Sequence, residues 1–384
     1  MVEGLKVLVV LGTRAEAIKL APIILDLRRR SGINLMVCLT GQHRHMVDPV
    51  LSWFDIPVDD DLQIMVENQS LAHLTANVLT GMDRILDSFH PAWILVQGDT
   101  TSAFAASLAG FYRRVPVAHV EAGLRSYQKQ FPFPEEVNRI LTTHLSDVHF
   151  APTQQARANL LKEGIPGDRV QVVGNPVIDA MMLTVEKTAS EAFHAQCQVR
   201  LATVDWGKRV LLVTGHRRES FGAPFGQICE ALRDLALAED VEIIYPVHLN
   251  PNVQGPVYHR LGGLRNVHLL EPVDYPMLIW LAQQSFLIIT DSGGIQEEAP
   301  SLGKPVVVMR DVTERCESLE AGVAVLVGTS RATIVETVTR LLHDPEQYQT
   351  MARVLHLYGD GNAAKRIGDC LENGVAVSQT SLAG

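Results

Sequence analysis

The sequence predicts an α/β protein with two Rossmann-like, doubly wound domains that face a central cleft. Short apolar segments alternate with helical segments along almost the whole chain, a pattern typical of parallel sheets covered by helices on both faces. The apolar segments fall into two sets, and a polar helical stretch lies between them. Because such sheets bind ligands at the carboxyl ends of their strands, we expect a site in the cleft.

The predicted strands give the domain limits. The first set is Lys6–Gly12, Leu35–Gly41, Trp93–Asp99, Val115–Gly123, Val148–Pro152 and Val170–Gly174. The second set is Val210–Gly215, Val241–Val247, Val267–Leu270, Phe286–Asp291, Val306–Met309 and Val323–Gly328. Asn175 and Pro176 begin the polar stretch, so we expect a first domain of residues 1–175 and a second of residues 176–362.

Composition argues against several classes of protein. The net charge of −10 argues against a nucleic-acid surface. The five cysteines lack metal-binding spacing and are expected to be reduced thiols of a cytoplasmic protein. No secretory signal pattern is visible, and no apolar run approaches a membrane span. His43 and His45 are two residues apart and cannot share a helix face, so no metal is predicted.

The segment Leu287–Ala299 predicts a buried strand followed by a turn and a helix. Ser292 is a candidate N-cap, and Gly293 and Gly294 are expected to form a sharp turn before the helix. The free N–H groups and the dipole of such a helix favour a phosphate, although an ordinary strand–helix turn would look the same. Glu298, one turn into the helix, favours the hydroxyl groups of a ribose.

The first strand is also followed by a candidate anion site. Thr13 and Glu16 have the spacing of a capping box at a helix start. Arg14 and Lys19 place two cations beside that helix start, where they could bind phosphate oxygens or simply be solvated. No G-x-G-x-x-G sequence follows this strand, so no dinucleotide cofactor is predicted.

Three carboxylates are expected to converge at strand ends of the first domain. Asp99 and Glu121 each end a predicted strand, and Pro134 begins a helix whose first turn contains Glu135 and Glu136. Helix capping and the helix dipole could explain each acid singly. Carboxylates held close together push their pKa values apart, which would give one acid and one base.

Histidines and arginines follow strands of the second domain. His216 is followed by Arg217 and Arg218, and His248 ends the next strand. Either histidine could be a satisfied structural residue, but the setting of His216 suits an anionic ligand or proton transfer. Arg315 follows a later strand and adds a further cation.

Taken together, these motifs resemble the non-hydrolysing bacterial UDP-N-acetylglucosamine 2-epimerases from about Lys6 to Gly361. The matching motifs are Gly12–Thr13–Arg14 with Glu16 and Lys19, Gly41–Gln42–His43–Arg44, Gly98–Asp99–Thr100, His119 to Arg125, Pro134–Glu135–Glu136, Gly215 to Glu219, Pro246 to Pro251, Asp291 to Pro300, Thr313–Glu314–Arg315 and Tyr358 to Gly361. The resemblance implies the architecture of GT-B glycosyltransferases, a homodimer, and a C-terminal helix of about residues 363–376 that packs back on the first domain.

The resemblance also implies an activity. The family interconverts UDP-GlcNAc and UDP-ManNAc by eliminating UDP to give 2-acetamidoglucal and adding it back, for bacterial surface polysaccharide precursors. The implied acid–base residues are Asp99, Glu121, Glu135 and His216. The implied UDP and substrate contacts are Arg14, Lys19, Val273, Leu278, Ser292, Gly293, Gly294, Glu298 and Arg315. A second UDP-GlcNAc, bound as an activator, would contact Gln42, Glu136, Arg217 and His248.

The chain departs from the family pattern at several positions. Ala15 and Cys316 stand where prolines are usual, which changes loop stiffness without removing a chemical group. Leu278 stands where Phe often lies near the uracil. His45 and Asn68 stand where some members have Gln and Arg at the activator site.

Several functions remain open at this stage. A hydrolysing 2-epimerase would release ManNAc and UDP and shares the first chemical step. A GT-B glycosyltransferase would need an acceptor groove, and a non-catalytic sensor would not need the acids. The sequence does not assign which acid is the base and which is the proton donor.

Overall fold

The computed structural model describes residues 4–41, 44–65 and 69–373, with the backbone alone at residues 44 and 45. The chain forms two compact units. Unit 1 comprises the described residues up to Ala180 and those from Tyr358 onward, and unit 2 comprises Met181–Leu357.

The strands and helices alternate in chain order. The strands are β1 (Leu5–Leu11), β2 (Ile33–Leu39), β3 (Asp60–Asp61), β4 (Trp93–Gln97), β5 (Val117–Val120), β6 (Val148–Ala151), β7 (Val170–Val172), β8 (Arg209–Thr214), β9 (Val241–Pro246), β10 (Val267–Leu270), β11 (Leu287–Thr290), β12 (Val306–Val308) and β13 (Ala324–Leu326). The helices are α1 (Arg14–Arg29), α2 (Arg44–Trp53), α3 (Leu71–Phe89), α4 (Thr101–Tyr112), α5 (Glu135–Leu145), α6 (Gln154–Lys162), α7 (Pro176–Thr188), α8 (Glu191–Arg200), α9 (Ala223–Ala238), α10 (Pro251–Leu261), α11 (Tyr275–Gln284), α12 (Gly293–Ser301), α13 (Cys316–Glu320), α14 (Arg331–His343), α15 (Pro345–Met351) and α16 (Ala363–Asn373).

Each unit contains a parallel, doubly wound sheet. Among the described residues, the sheet of unit 1 has the strand order β3-β2-β1-β4-β5-β6-β7, and that of unit 2 has the order β10-β9-β8-β11-β12-β13. The predicted fold class is confirmed, and every predicted strand segment is present. The short strand β3 was not predicted, because its two aspartates do not favour a strand.

The apolar sequence of the strands buries both faces of each sheet. In β8, Leu211 and Val213 lie in one core cluster, whereas Val210 and Leu212 lie in the cluster on the other face. This alternation follows from the two-residue period of a strand. All five residues of β4 are buried in the same way in unit 1.

The chain returns to unit 1 through α16, which packs against α1. Arg30 at the end of α1 donates hydrogen bonds to Asp369 at 2.8 Å and to Glu372 at 2.7 Å. Gly368 permits this close approach, because a Cβ there would lie 2.3 Å from Asp26 Oδ2. Within the ranges described above, no helix is long and apolar enough to cross a membrane.

Both sheets reverse their winding direction between neighbouring strands. In unit 1 the reversal lies between β1 and β4, and in unit 2 it lies between β8 and β11. A reversal of this kind leaves a crevice at the carboxyl ends of the two strands, where ligands bind in such folds. The loops after these four strands position part of the candidate site residues, and the loops after the neighbouring strands β5 and β12 position others.

Candidate active site

The loop after β1 is fixed by a buried glutamate. The predicted capping box of α1 is confirmed, since Thr13 Oγ1 accepts from the N–H of Glu16 and Glu16 Oε2 accepts from the N–H of Thr13 at 2.7 Å. Thr100, before α4, donates to Glu16 Oε1 at 2.7 Å. Burial raises the pKa of Glu16, against the effect of these hydrogen bonds. Glu16 thus joins the loops after β1 and β4, and Arg14 and Lys19 project from the first turns of the same helix.

Glu121, directly after β5, has a buried carboxylate held by side chains from several elements. Its backbone φ of 63° lies in the left-handed region, which residues other than glycine rarely adopt outside functional or tightly constrained sites. Lys19 donates to Oε1 at 2.5 Å, and Asn175, before α7, donates to the same oxygen at 2.9 Å. Gln97, at the end of β4, donates to Oε2. These donors favour an ionised carboxylate with a defined direction.

Asp99 is paired with an arginine of α5. Arg139 Nη2 donates to Asp99 Oδ2 at 2.5 Å, and Asn138 donates to the backbone carbonyl of Asp99 at 3.0 Å. The aspartate side chain is 27% exposed, whereas that of Arg139 is 8% exposed. The more deeply buried guanidinium of Arg139 therefore balances the charge of the partly exposed carboxylate.

Glu135 and Glu136 differ in environment although they are neighbours in the first turn of α5. Glu135 is half-buried, and its Oε2 has no hydrogen-bond partner among the residues that the structure describes. Glu136 is fully buried and accepts the N–H groups of Ser126 at 3.1 Å and Tyr127 at 2.8 Å. Glu136 therefore holds the loop after β5 in the form seen here. Its predicted role toward an activator stays a prediction.

The loop after β11 enters α12 without a capping side chain. Ser292 is the N-cap residue, as predicted, but its side chain makes no capping hydrogen bond with the described residues. The expected turn at Gly293 and Gly294 is wrong, because both residues already belong to α12 and neither has a positive φ. The first N–H groups of a helix have no intrahelical partner, and the helix dipole makes their surroundings positive. This helix start has the properties of an anion site.

Gly293 is explained by a close contact with Arg315 and not by the predicted turn. A Cβ at this position would lie 2.9 Å from Cζ of Arg315, which is closer than real Cβ contacts. A Cβ at Gly294 would lie 4.0 Å from its nearest described neighbour, the hydroxyl of Ser292. The missing side chain of Gly293 thus lets the Arg315 guanidinium lie against the start of α12. A planar cation beside free N–H groups is an arrangement suited to a diphosphate.

The buried Glu297 and the partly buried Glu314 hold that guanidinium in place. Glu297 Oε1 lies 2.8 Å from both Nε and Nη2 of Arg315. Glu314 Oε2 accepts from Arg315 at 3.4 Å and from Arg310 at 3.0 Å. Burial would raise the pKa of Glu314, but the charges of Arg315 and Arg310 hold it at about 2. The cation is therefore oriented by ionised carboxylates.

The other predicted nucleotide contacts of unit 2 lie on α11, on α12 and just before α11. Glu298 is buried, and its Oε1 accepts from the hydroxyl of Tyr275 at 2.7 Å. Val273 is buried in the same core cluster against which the partly buried Leu278 packs. Tyr275 therefore fixes the direction of the carboxylate that was predicted to bind a ribose.

His216, after β8, lies beside the buried Asp291 at the end of β11. Asp291 Oδ2 accepts the N–H groups of His216 at 2.7 Å and Arg217 at 2.8 Å, and His216 Nδ1 lies 3.2 Å from Asp291 Oδ1. Burial opposes ionisation of Asp291, but His216 and these N–H groups lower its pKa below its ordinary value. The ring of His216 stacks on His248, with centroids 5.3 Å apart. Asp291 thus fixes the loop and the imidazole together.

The structure brings together some predicted residues and adds others. Lys19 contacts Glu121 in unit 1, and the start of α12 meets Arg315 in unit 2. Gln42, predicted for the activator site, lies outside the described residues, as does Asn68. The residues that sequence analysis missed are the partners that hold the predicted groups, namely Gln97, Arg139, Asn175, Tyr275, Asp291 and Glu297. Most are far along the chain from the residue they hold, so no local pattern could identify them.

Comparisons with known proteins agree with one another. A family model described as UDP-N-acetylglucosamine 2-epimerase matches residues 25–372. The UDP-N-acetylglucosamine 2-epimerase of Escherichia coli strain K12 is 50% identical over 371 residues, covering 96% of this chain and 99% of that protein.

Solved structures give the same result. A crystal structure of the UDP-GlcNAc 2-epimerase from Neisseria meningitidis, bound to UDP-GlcNAc, matches with a TM-score of 0.93 and 47% identity, covering 96% of this chain and all of that one. The Methanocaldococcus jannaschii enzyme, in complex with UDP-GlcNAc and UDP, matches with a TM-score of 0.83 and 32% identity, covering 96% of this chain and all of that one.

Proposed function

The chain belongs to the UDP-N-acetylglucosamine 2-epimerase family and is an isomerase, and from this premise we propose that it interconverts UDP-GlcNAc and UDP-ManNAc without net hydrolysis. The reaction is an elimination of UDP to 2-acetamidoglucal followed by re-addition of UDP. Related structures that contain UDP-GlcNAc or UDP support a UDP-sugar as the substrate.

The anion site at the start of α12 is the single observation that carries the proposal. In the elimination, the bond between carbon 1 and the diphosphate oxygen breaks, and its electron pair leaves with UDP. The N–H groups of Gly293 and Gly294 and the guanidinium of Arg315 would stabilise the negative charge that develops on the diphosphate. The guanidinium is already oriented, because Glu297 and Glu314 hold it, and the helical backbone of α12 orients the two N–H groups.

The remaining nucleotide contacts follow the family resemblance. Glu298, oriented by Tyr275, would accept hydrogen bonds from the ribose hydroxyls. Val273 and Leu278 would contact the uracil, with an aliphatic side chain in place of a stacked ring. Ser292, Arg14 and Lys19 would contribute further polar contacts to the nucleotide sugar.

The proton transfers require groups that accept and donate protons at carbon 2. A base removes the proton from carbon 2 as UDP leaves, and the double bond between carbons 1 and 2 forms. In the re-addition step a proton reaches carbon 2 from the other face as UDP adds to carbon 1 and the double bond is lost. We assign this work to Asp99, Glu121, Glu135 and His216, of which Asp99 and Glu121 are each paired with a cation.

Proton NMR of UDP-GlcNAc incubated with the protein in deuterium oxide tests this proposal. We expect UDP-ManNAc to form with deuterium at carbon 2 and without free sugar. Free ManNAc together with an equal amount of UDP would show the hydrolysing reaction instead. UDP-GlcNAc left unchanged would contradict the proposed substrate.

We further propose activation by a second UDP-GlcNAc, a homodimer, a cytoplasmic location and a supply of surface polysaccharide precursors. These proposals rest on family resemblance and, for the location, on the five cysteines, which are all free thiols in the described residues. Activation predicts a lag when purified UDP-ManNAc is the only substrate, and added UDP-GlcNAc should remove the lag. A reaction that is linear from its start would contradict activation.

Light scattering at several protein concentrations tests the homodimer.

A further inference from the structure

We propose that Asn175 is a positioning residue, which fixes the direction of the Glu121 carboxylate for proton transfer. The inference rests on the proposed epimerisation, in which Glu121 carries out acid–base work. Asn175 lies between β7 and α7, 54 residues after Glu121, and it is fully buried. Its side-chain amide donates to Glu121 Oε1 at 2.9 Å.

Two hydrogen bonds of this amide determine its orientation. Asn175 Oδ1 accepts from the backbone N–H of Val177 at 3.1 Å, and Nδ2 donates to the Glu121 carboxylate. A flipped amide would place its oxygen against a carboxylate oxygen and its NH₂ group against an N–H, so both contacts would become repulsive. Asn175 therefore presents a donor, and only a donor, to Glu121.

The backbone of Asn175 is also fixed. Its N–H donates to the carbonyl of Tyr358 at 2.5 Å, where the chain re-enters unit 1. The residue before it, Gly174, has a φ of 92°, and a Cβ there would lie 3.0 Å from Cα of Gly359. The donor is thus part of a close-packed segment and does not move freely with the carboxylate. A group held this way preorganises its partner.

Glu121 needs such a partner because its cation alone does not give it a direction. Lys19 ends in an ammonium group on a flexible stem, which supplies charge from a range of positions. Asn175 and Gln97 are planar amides that donate to different oxygens of the carboxylate. We infer a division of roles in which Lys19 supplies charge and the two amides fix the plane of the carboxylate.

The substitution Asn175→Asp tests this role. It keeps an oxygen that can accept from the N–H of Val177 and replaces the donor to Glu121 by a second carboxylate oxygen. Two carboxylates this close share a proton, so the acidic limb of the kcat/KM profile should move up by about one pH unit or more. At neutral pH we expect kcat to fall at least about 30-fold, with KM changed less than about threefold, because the loss falls on proton transfer.

Asn266→Asp is the matched control in unit 2. Asn266 donates to the backbone carbonyls of Ala236 at 2.9 Å and Val241 at 3.0 Å, so the substitution removes similar bonds away from the predicted site residues. It should leave kcat and the acidic limb as in the native chain. An effect that both variants share comes from the loss of a buried amide, and an effect that only Asn175→Asp shows comes from the change next to Glu121.

The outcomes distinguish this inference from the proposed function. If the native chain does not epimerise UDP-GlcNAc, the proposed function fails. If the native chain is active and Asn175→Asp retains its kcat and acidic limb, the positioning role is wrong. A loss of activity with an unshifted acidic limb, matched by Asn266→Asp, would equally overturn it in favour of a purely structural role.

Discussion

The two units contain similar ion pairs, but the predicted functional member is the carboxylate in unit 1 and the cation in unit 2. In unit 1 the predicted reactive groups are carboxylates, and Arg139 and Lys19 hold them. In unit 2 the predicted ligand-binding group is the guanidinium of Arg315, and the carboxylates of Glu297 and Glu314 hold it. In the pairs Asp99–Arg139 and Arg315–Glu297 the holding partner is the more buried one, at 8% and 1% exposure against 27% and 12%.

The Glu121–Lys19 pair differs from this pattern in an informative way. Here the carboxylate is the more buried partner, at 6% exposure against 13% for the ammonium group. Both members are predicted to contact the substrate or the nucleotide. A buried charge is stable only when it is paired, so this pair lets two functional charges stabilise each other, and amides from β4 and the β7–α7 segment supply the direction.

The largest expected effect comes from removing the charge of Glu121. Glu121→Gln keeps the shape and should lower kcat about 1,000-fold, because general acid–base groups contribute about 10²–10⁴. The dissociation constant of UDP, measured by calorimetry, should change far less, by no more than about 10-fold, because Arg315 and the start of α12 are assigned most of the diphosphate charge and only the Lys19 contact loses its partner.

Glu372→Gln is the control for this prediction. It removes the exposed ion pair that Glu372 of α16 makes with Arg30, which follows α1, and it should leave kcat as in the native chain. If Glu121→Gln weakened UDP binding as much as it lowered kcat, the proposed separation of roles between the units would be wrong.

Adding a single methyl group at the start of α12 should weaken the binding of UDP at the anion site of unit 2. Gly293→Ala places a Cβ 2.9 Å from Arg315 Cζ and should displace the guanidinium. We expect a loss of about 10-fold to 100-fold in UDP affinity, the size of one charge-assisted hydrogen bond. Gly294→Ala also retains its N–H and meets only the Ser292 hydroxyl at 4.0 Å, so its loss should be several-fold smaller. Equal losses by calorimetry would contradict the role assigned to Gly293.

Local patterns predicted some of these features and could not predict others. The capping box of Thr13 and Glu16 was readable because its residues are three apart and follow a helix rule. The prediction for Gly293 was wrong, because a glycine is required there by the close approach of Arg315, a residue 22 positions later. The Asp99–Arg139 pair spans 40 positions, and the amide that holds Glu121 comes 54 positions later. Only the fold brings these residues together.

The family and the fold were predictable for a different reason. Alternation of apolar and helical segments indicates doubly wound sheets, and both sheets are present. The motifs at strand ends identified the family, which the full-length relatives confirm. The roles of Asp99, Glu121, Glu135 and His216 came from resemblance, and the geometry shows what holds Asp99, Glu121 and His216 in place.

A histidine of unit 1 and one of unit 2 differ in burial, and the buried one should make the stability of the fold sensitive to acid. His149 of β6 is buried, and burial together with nearby His119 and Arg125 lowers its pKa to about 3. His216 of unit 2 is 41% exposed beside Asp291. Because the unfolded chain binds a proton at its ordinary pKa of 6.5 and the folded His149 does not, stability is present above pH 6.5 and is lost as pH falls toward 3.

His149→Leu should remove that part of the acid sensitivity. Between pH 7 and pH 4.5 the native chain should lose about 2.5 kcal/mol more free energy of unfolding than the variant, from about 1.4 kcal/mol per pH unit below pH 6.5. Urea unfolding followed by circular dichroism at both pH values measures it. Parallel losses in the two proteins would show that the folded protein protonates His149 as readily as the unfolded chain does, contrary to the pKa expected from its burial.

The smallest expected effect concerns a carboxylate held by helix N–H groups. Asp179 of α7 accepts the N–H of Ala364 at 2.8 Å, and its Oδ2 has no hydrogen-bond partner in the described part of the chain. Burial raises its pKa from 3.8 to about 6. A raised carboxyl pKa gives stability that is fully present below pH 3.8 and is lost as pH rises through 6.

Asp179→Asn keeps an oxygen for Ala364 and removes the buried charge. The variant should be more stable than the native chain by about 1 kcal/mol at pH 7.5, which is less than the full shift implies because relaxation and nearby charges reduce it. The gain should fall below half of that value at pH 4.5, where the native carboxyl group is protonated, and it should disappear below pH 3.8. Urea midpoints at both pH values measure the difference. A gain of the same size at pH 4.5 would assign it to the amide's hydrogen bonds, and the buried charge would then have no measurable cost.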